Sequence, residues 1–499
     1  MAFWSRTKPL ETGELAAHHT LKRTLDWPHL VALGVGAIVG MGIYVLIGEA
    51  AGMAGPAVMI SFVVVAGVCA CVALAYSELA TMMPVSGGAY SYSYAALGEL
   101  AAWIIGWALI LEYSVAASAV AVGWAGYVNS FLQSIGLNLP PALTSGPNHA
   151  DMIAFLQGLG LPAPDPAYDA GEAPSGIVNL PAIAIIFVVA GLLIIGARES
   201  ANVNNVLVAI KLIALLAFIA LAAPLFNAAH FEPFAPYGWG SVEQGGGKVG
   251  MMAAAALIFF AFYGFDAVST AAEEAKNPGR NMVIGIVGSM AVCAALYMAV
   301  AAAALGAMRH EGFKDAAAPL AFILEHIGRA DAARIISAAV IVAVPSVILA
   351  LMYGQSRIFF VMSRDGLLPQ GVGRVHGRFG TPVGMTIVTA LACSALAGFL
   401  PLAEIAYLAN AGTLAAFTAV AIAMMALRVK QPGARRPFKT PLAWVVGPLA
   451  VIGCLYLFTS LKSSTIVAFF CWMGVGIVVY LLYGVRKSAL AQAESQPGT

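Results

Sequence analysis

Charge is scarce in this sequence. Asp, Glu, Lys and Arg make up 10% of its 499 residues, against about 25% in globular domains. Twenty-five basic and 24 acidic side chains leave a formal charge of +1, so no basic surplus exists to hold nucleic acid. Cysteine is also sparse. All six (Cys69, Cys71, Cys293, Cys393, Cys454 and Cys471) sit in apolar runs, where a thiol packs as a small hydrophobe, and no disulfide framework is implied. The histidines lie at span ends and in loops without a paired metal-ligand spacing, and no G-x-S-x-G elbow occurs. Gly240 to Val249 imitates a phosphate loop, but Lys248 does not directly follow the second glycine and Val249 replaces Ser or Thr. No enzyme, metal site or cofactor is expected. The start of the chain lacks a short apolar core before a small-residue cleavage site, so no signal peptide is read there.

Apolar length is abundant. Hydrophobic residues make up 61% of the chain, and runs of about 20 residues recur along it, each long enough to cross a bilayer as a helix. Twelve are expected, near 29–51, 56–83, 99–132, 177–197, 202–226, 249–273, 282–308, 332–363, 383–400, 403–427, 441–461 and 465–485; they are numbered here as spans one to twelve. An even count puts both termini on one side. Placing them inside leaves eighteen of the 25 basic residues cytoplasmic and six outside, with Lys211 within a span, which is the positive-inside bias. A multi-pass protein of the cytoplasmic membrane with two cytoplasmic tails (1–28 and 486–499) is expected. Its longest external loop, about 133–176, holds seven prolines and no Lys or Arg.

Span one carries GVGAIVGMGIYVLIG, residues 34–48, with five glycines. Each interior glycine costs about 1 kcal/mol against alanine, and a backbone group freed in lipid has no water to bond. A dinucleotide fingerprint is excluded, since no strand precedes the stretch. Two readings stand: Gly36-x-x-x-Gly40 as a close-packing helix face, or a helix unwound around Gly40-Met41-Gly42 with backbone groups open to a ligand. Span six favours the second. It holds Phe259-Phe260-Ala261-Phe262-Tyr263-Gly264-Phe265 followed by Asp266 at membrane depth, and it lies about 220 residues after span one. Spans two and seven, and three and eight, are similarly offset, so 29–226 and 249–427 read as inverted five-helix repeats followed by the pair 441–485. Interruptions in corresponding spans of inverted halves point to a transporter's binding site. The N-H groups of Met41, Gly42 and Ile43 suit a carboxylate. The carbonyls near Ala37, Ile38, Phe260, Ala261 and Tyr263 suit an ammonium. An α-amino acid presents both.

Ionisable groups at membrane depth are functional candidates. Lys211 lies about seven residues into span five, either snorkelling or placed beside the carbonyl end of span one, together with Ser346 of span eight, as a substitute for a coupling cation. Glu112 in span three and Asp266 in span six are read as substrate-facing, capping, proton-carrying or structural carboxyls. Glu78, Glu273 and Glu274 fit solvated helix ends or gating ion pairs, and Arg357 and Arg364 fit snorkelling or loop anchoring.

GVGAIVGMGIYV, FFAFYGFDAVSTAAEEAKNPGRNMVIGI and YGQSRIFFVMSRDGLLP resemble bacterial members of the cationic amino acid transporter family, within the amino acid-polyamine-organocation superfamily. The resemblance covers nearly the whole chain. It implies an all-α membrane fold of twelve helices with discontinuous helices 1 and 6 (LeuT-like), a pocket between helices 1, 3, 6, 8 and 10, and alternating access. In bacterial relatives a lysine placed like Lys211 stands where sodium binds elsewhere in the fold, implying protons as the coupling ion. Relatives often carry Thr or Ser where Met41 stands, so a hydroxyl contact is absent here. Met352 in span eight is expected to shorten the pocket towards small neutral amino acids, whereas Glu112 and Asp266 favour a cationic side chain. Proton-coupled symport is the favoured function, with exchange, including polyamine exchange, or a non-transporting sensor as rivals.

Overall fold

The computed structural model describes residues 6–7, 25–83, 87–147, 176–196, 201–244, 247–272, 275–369, 371, 373–374, 376–377 and 381–495. Most of loop 133–176, and Glu273 and Glu274, lie outside these. In hydrocarbon every backbone polar group must find an internal partner, and the chain accordingly folds as helices. Among the described residues nine are long and apolar enough to cross a membrane, and Trp27–Ile38, Leu180–Ile195 and Val383–Phe399 are shorter apolar helices. Burial sorts them into centre and rim. The most apolar window of span six is 94% buried and that of span three 83%, against 28% for span twelve.

Span one is interrupted. Helix Trp27–Ile38 stops at Val39 (φ −74°, ψ 94°), Gly40 is extended, and the chain resumes as Met41–Tyr44 and Leu46–Ala54. The break therefore falls at Val39-Gly40, slightly before the position expected, and Met41 and Gly42 already belong to the next turn. Span six runs as Met251–Ile258, tightens into a 3-10 turn at Phe259–Phe262, extends at Tyr263, and re-forms only at Ala267–Thr270. Gly264 has φ +110°, a conformation that L side chains rarely adopt.

Span eight also differs from the expected single rod. It divides into Ala330–Ala343 and Pro345–Arg364, because Pro345 has no N-H and its ring clashes with the preceding turn. Hydrophobic runs alone did not reveal the helices Gly88–Ala96, His310–Phe313 and Pro319–His326, which are short and lie between spans. The false phosphate loop is a hairpin, Val242–Gln244 paired antiparallel with Gly247–Val249, and its Lys248 Nζ donates to Thr459 O at 2.8 Å.

Glu78 is buried and paired. Its carboxylate accepts from Arg428 Nε at 3.0 Å, Arg428 Nη2 at 2.6 Å and Thr440 N at 2.8 Å, with Arg436 Nε 3.3 Å away. Span two is thereby clamped to the end of span ten and the turn that follows it.

Candidate functional site

The two breaks face one another. A Cβ built on Gly42 would lie 2.6 Å from the Cβ of Ala261 and 2.8 Å from its nitrogen, and one on Gly264 would lie 2.8 Å from the Ala37 carbonyl carbon. Each interruption thus uses a glycine to admit the other's backbone. The remaining glycines of span one divide between the two readings. Gly36 packs against Val208 of span five, with a built Cβ 2.6 Å from Cγ2, whereas the surroundings of Gly40 are open, its nearest neighbour Val347 Cγ1 at 3.7 Å. Close packing and interruption coexist a turn apart.

The freed carbonyls have specific donors. At the end of Trp27–Ile38, Lys211 Nζ donates to Gly36 O at 2.9 Å and Tyr297 Oη donates to Ile38 O at 2.9 Å. At the end of Met251–Ile258, Asn410 Nδ2 donates to Ala256 O at 2.8 Å and to Leu257 O at 3.0 Å. Phe260 O accepts the Tyr263 N-H at 3.3 Å. A pair of tyrosines braces the far side of the first break: Tyr127 Oη donates to Tyr44 O at 2.9 Å, and Tyr44 Oη to Lys211 O at 2.8 Å. Sequence reading missed Tyr297, Asn410, Tyr127 and Tyr44. Asn410 carried a usable signal, an amide in the middle of an apolar span; the tyrosines carried none, since a buried Tyr reads as core.

Lys211 is 1% exposed, so it does not snorkel. Ser346 is buried too, and its hydroxyl donates to Ala343 O at 2.7 Å, satisfying the turn before Pro345.

Two cavities adjoin the breaks. The smaller, about 10 Å³, is lined by Ala37, Ile38, Gly40, Met41, Gly42 and Phe260 on the broken spans, with Tyr263, Val120, Val347 and Leu351 closing it. The larger, about 550 Å³, runs from Gly36, Ala37, Tyr263, Gly264 and Asp266 to the start of span one at Leu25 and His29 and the start of span five at Asn204. Ser346 and Arg357 line it as well. Ala37, Tyr263, Val347 and Leu351 line both spaces.

Four of the residues expected to bind substrate line neither. Ala261 is spent on the contact with Gly42, and Ile43 is fully buried. Glu112 packs against span ten, where a Cβ on Gly412 would lie 3.1 Å from its own; its Oε2 is buried without a hydrogen-bond partner, and Tyr263 and Thr413 are polar neighbours. Met352, expected to shorten the pocket, is buried away from both spaces; Leu351 and Val347 line both and hold that place. The helical turn of Pro345–Arg364 explains the difference, since adjacent residues point about 100° apart.

The profile of the amino acid permease family matches residues 25–483. The chain is 42% identical to the branched-chain amino acid permease of Bacillus subtilis over 95% of both chains. It is 39% identical to the methylthioribose transporter of the same organism, over 97% of this chain and 98% of the relative. With the vacuolar cationic amino acid transporter 2 of Arabidopsis thaliana it shares 35% identity over 86% of this chain and 63% of the relative.

Proposed function

We propose that this chain, which belongs to the amino acid permease family, carries L-amino acids across the bacterial cytoplasmic membrane by proton-coupled symport. It is a multi-pass transporter and not an enzyme; the coupling, the architecture and the site residues are the proposed parts. The observation that carries the reading is the reciprocal contact of the two interruptions, Gly42 on Ala261 and Gly264 on Ala37. Helices broken face to face put main-chain dipoles of both signs around one point, which is what a zwitterion needs.

In this reading the twelve spans comprise two inverted sets of five and a final pair, and the breaks occupy the first member of each set. The excess of Lys and Arg at one set of span ends supports cytoplasmic termini. Met41 and Gly42 offer N-H groups to the substrate carboxylate. Ala37, Ile38, Phe260 and Tyr263 offer carbonyls to its ammonium, those of Ile38 and Phe260 through a second hydrogen bond beside the one each already accepts. Val120, Val347 and Leu351 surround the side chain with apolar surface, which favours small or branched aliphatic substrates. Lys211 is the coupling group: its ammonium, on Gly36 O, stands where a cation would neutralise the helix C-terminus, and loss of its proton releases that end of the break. The large cavity opens the site to the cytoplasmic end. On the opposite side the segment 310–326 covers Leu46–Ala54, with Phe313 O against Gly48 and Lys314 against Gly52.

Purified protein in proteoliposomes under an inward proton gradient tests this. Radiolabelled leucine, valine or alanine is expected to accumulate, and a protonophore to abolish accumulation. Counterflow without net accumulation overturns symport in favour of exchange. The methylthioribose transporter among the relatives makes a thio-sugar the second reading, and exclusive uptake of that compound would displace the amino acid.

A further inference from the structure

The large cavity holds opposite charges that the main-chain site does not use. Asp266 lines it, buried, with the backbone N-H groups of Gly264, Asp266 and Ala267 facing its carboxylate. Arg357 lines it from span eight. Its guanidinium carbon lies 4.5 Å from the centroid of the Tyr353 ring, and its Nη2 donates to Tyr353 Oη at 2.8 Å. Tyr113, also on the cavity wall, lies within electrostatic reach of both Asp266 and Arg357.

The bonding of Arg357 is notable for what it omits. Among the described residues no carboxylate lies within ion-pair distance of it, and it is held by the ring and hydroxyl of Tyr353. Snorkelling or loop anchoring, expected from its place near a helix end, would turn the group outwards. Instead a planar donor fork is held over an aromatic ring on a cavity wall. Such a fork matches a carboxylate in two parallel hydrogen bonds, and only some of its five N-H donors are engaged. The volume, about 550 Å³, falls within the range of small-molecule sites, about 300–1,000 Å³.

We infer that this cavity is a second substrate station, separate from the main-chain site between the breaks, in which a free α-amino acid rests with its carboxylate on Arg357 and its ammonium on Asp266. The inference rests on the amino acid reading above. The station receives the zwitterion as it leaves the breaks, so that it crosses the low-dielectric stretch between them and the helix ends without losing both counter-charges at once. Tyr263, which touches both cavities, marks the boundary between the two stations.

The test measures half-saturation separately from each face in oriented proteoliposomes, using the amino acid found to be transported. The expected result for Arg357→Gln is a rise of about tenfold in the ratio of half-saturation on the cavity face to that on the opposite face, the size of one charge-assisted contact. Arg357→Lys, which keeps the charge and loses the fork, falls between. Tyr353→Phe, which removes the hydroxyl that orients the guanidinium and keeps the ring, moves the ratio the same way by less and decides the matter if the arginine variants fail to insert. An unchanged ratio in Tyr353→Phe and in whichever arginine variants reconstitute overturns the station while leaving transport intact. Absence of amino acid transport by the unmodified protein instead overturns the reading on which it rests.

Discussion

The ammonium of Lys211 meets the carbonyl of Gly36 at 2.9 Å, two residues before the first half of span one ends at Ile38. A buried cation is costly in a membrane interior, and a helix C-terminus is the backbone feature that offsets part of that cost. The same contact holds spans one and five together at the level of the break.

If this contact is the coupling element, Lys211→Met, which keeps the apolar stem and removes the charge, flattens the pH profile of uptake and abolishes accumulation under a proton gradient. Counterflow measured alongside separates lost coupling from lost folding. Accumulation with an unaltered pH profile would sink the assignment.

Gly42→Ala is expected to be far worse than an ordinary helix substitution. The added methyl falls on the backbone of Ala261, which cannot swing aside as a side-chain end would. Overpacking of this kind costs about 1–3 kcal/mol. The readouts are a lower thermal midpoint in detergent and loss of uptake, and wild-type behaviour in both would show that the breaks do not meet as described.

Tyr297→Phe and Asn410→Leu each leave a freed carbonyl of a broken helix without its donor. An unsatisfied buried polar group costs about 1–3 kcal/mol, and Asn410 serves two carbonyls. Thermal unfolding should therefore rank Asn410→Leu below Tyr297→Phe, with both below the parent. The reverse order would mean that other groups cap span six.

His310, on the linker between spans seven and eight, provides a pH test outside the membrane-spanning segments. Burial pushes its imidazole below the ordinary value, Glu311 opposes that, and Arg309 and Lys314 add to it. A histidine whose folded pKa is depressed binds fewer protons folded than unfolded, so its contribution to stability is intact above the unfolded value of about 6.5 and is lost as the pH falls below it. The thermal midpoint is expected to drop on acidification through that range, and His310→Gln to reduce the drop. An equal drop in the variant would exclude His310 as its source.

Some of this architecture was legible residue by residue. The glycines at 40, 42 and 264, the aromatic run at 259–265 and the lone lysine at 211 each break a rule for spanning helices, and each proved to sit at an interruption or to cap one. That Glu112 and Met352 line neither cavity could not be read from the sequence, for a common reason. Membrane depth can be counted along a helix, but the direction a side chain faces depends on rotation about its axis; span three is apolar nearly all round and shows no stripe, and the polar face of Pro345–Arg364 (Gln355, Ser356, Arg357) does not by itself say which apolar residue closes a cavity. Tyr297 and Asn410 were missed because the carbonyls they cap lie on other helices.

Composition and run length alone determined that this chain is a bundle of membrane helices and that spans one and six are weakened, because backbone satisfaction in lipid leaves few alternatives to a helix and glycine marks where helix is given up. Which groups repair the breaks, which residues border the cavities and where Arg357 points were decided only by the tertiary structure. Those properties are distances between segments far apart in the chain, and packing, not local propensity, sets them.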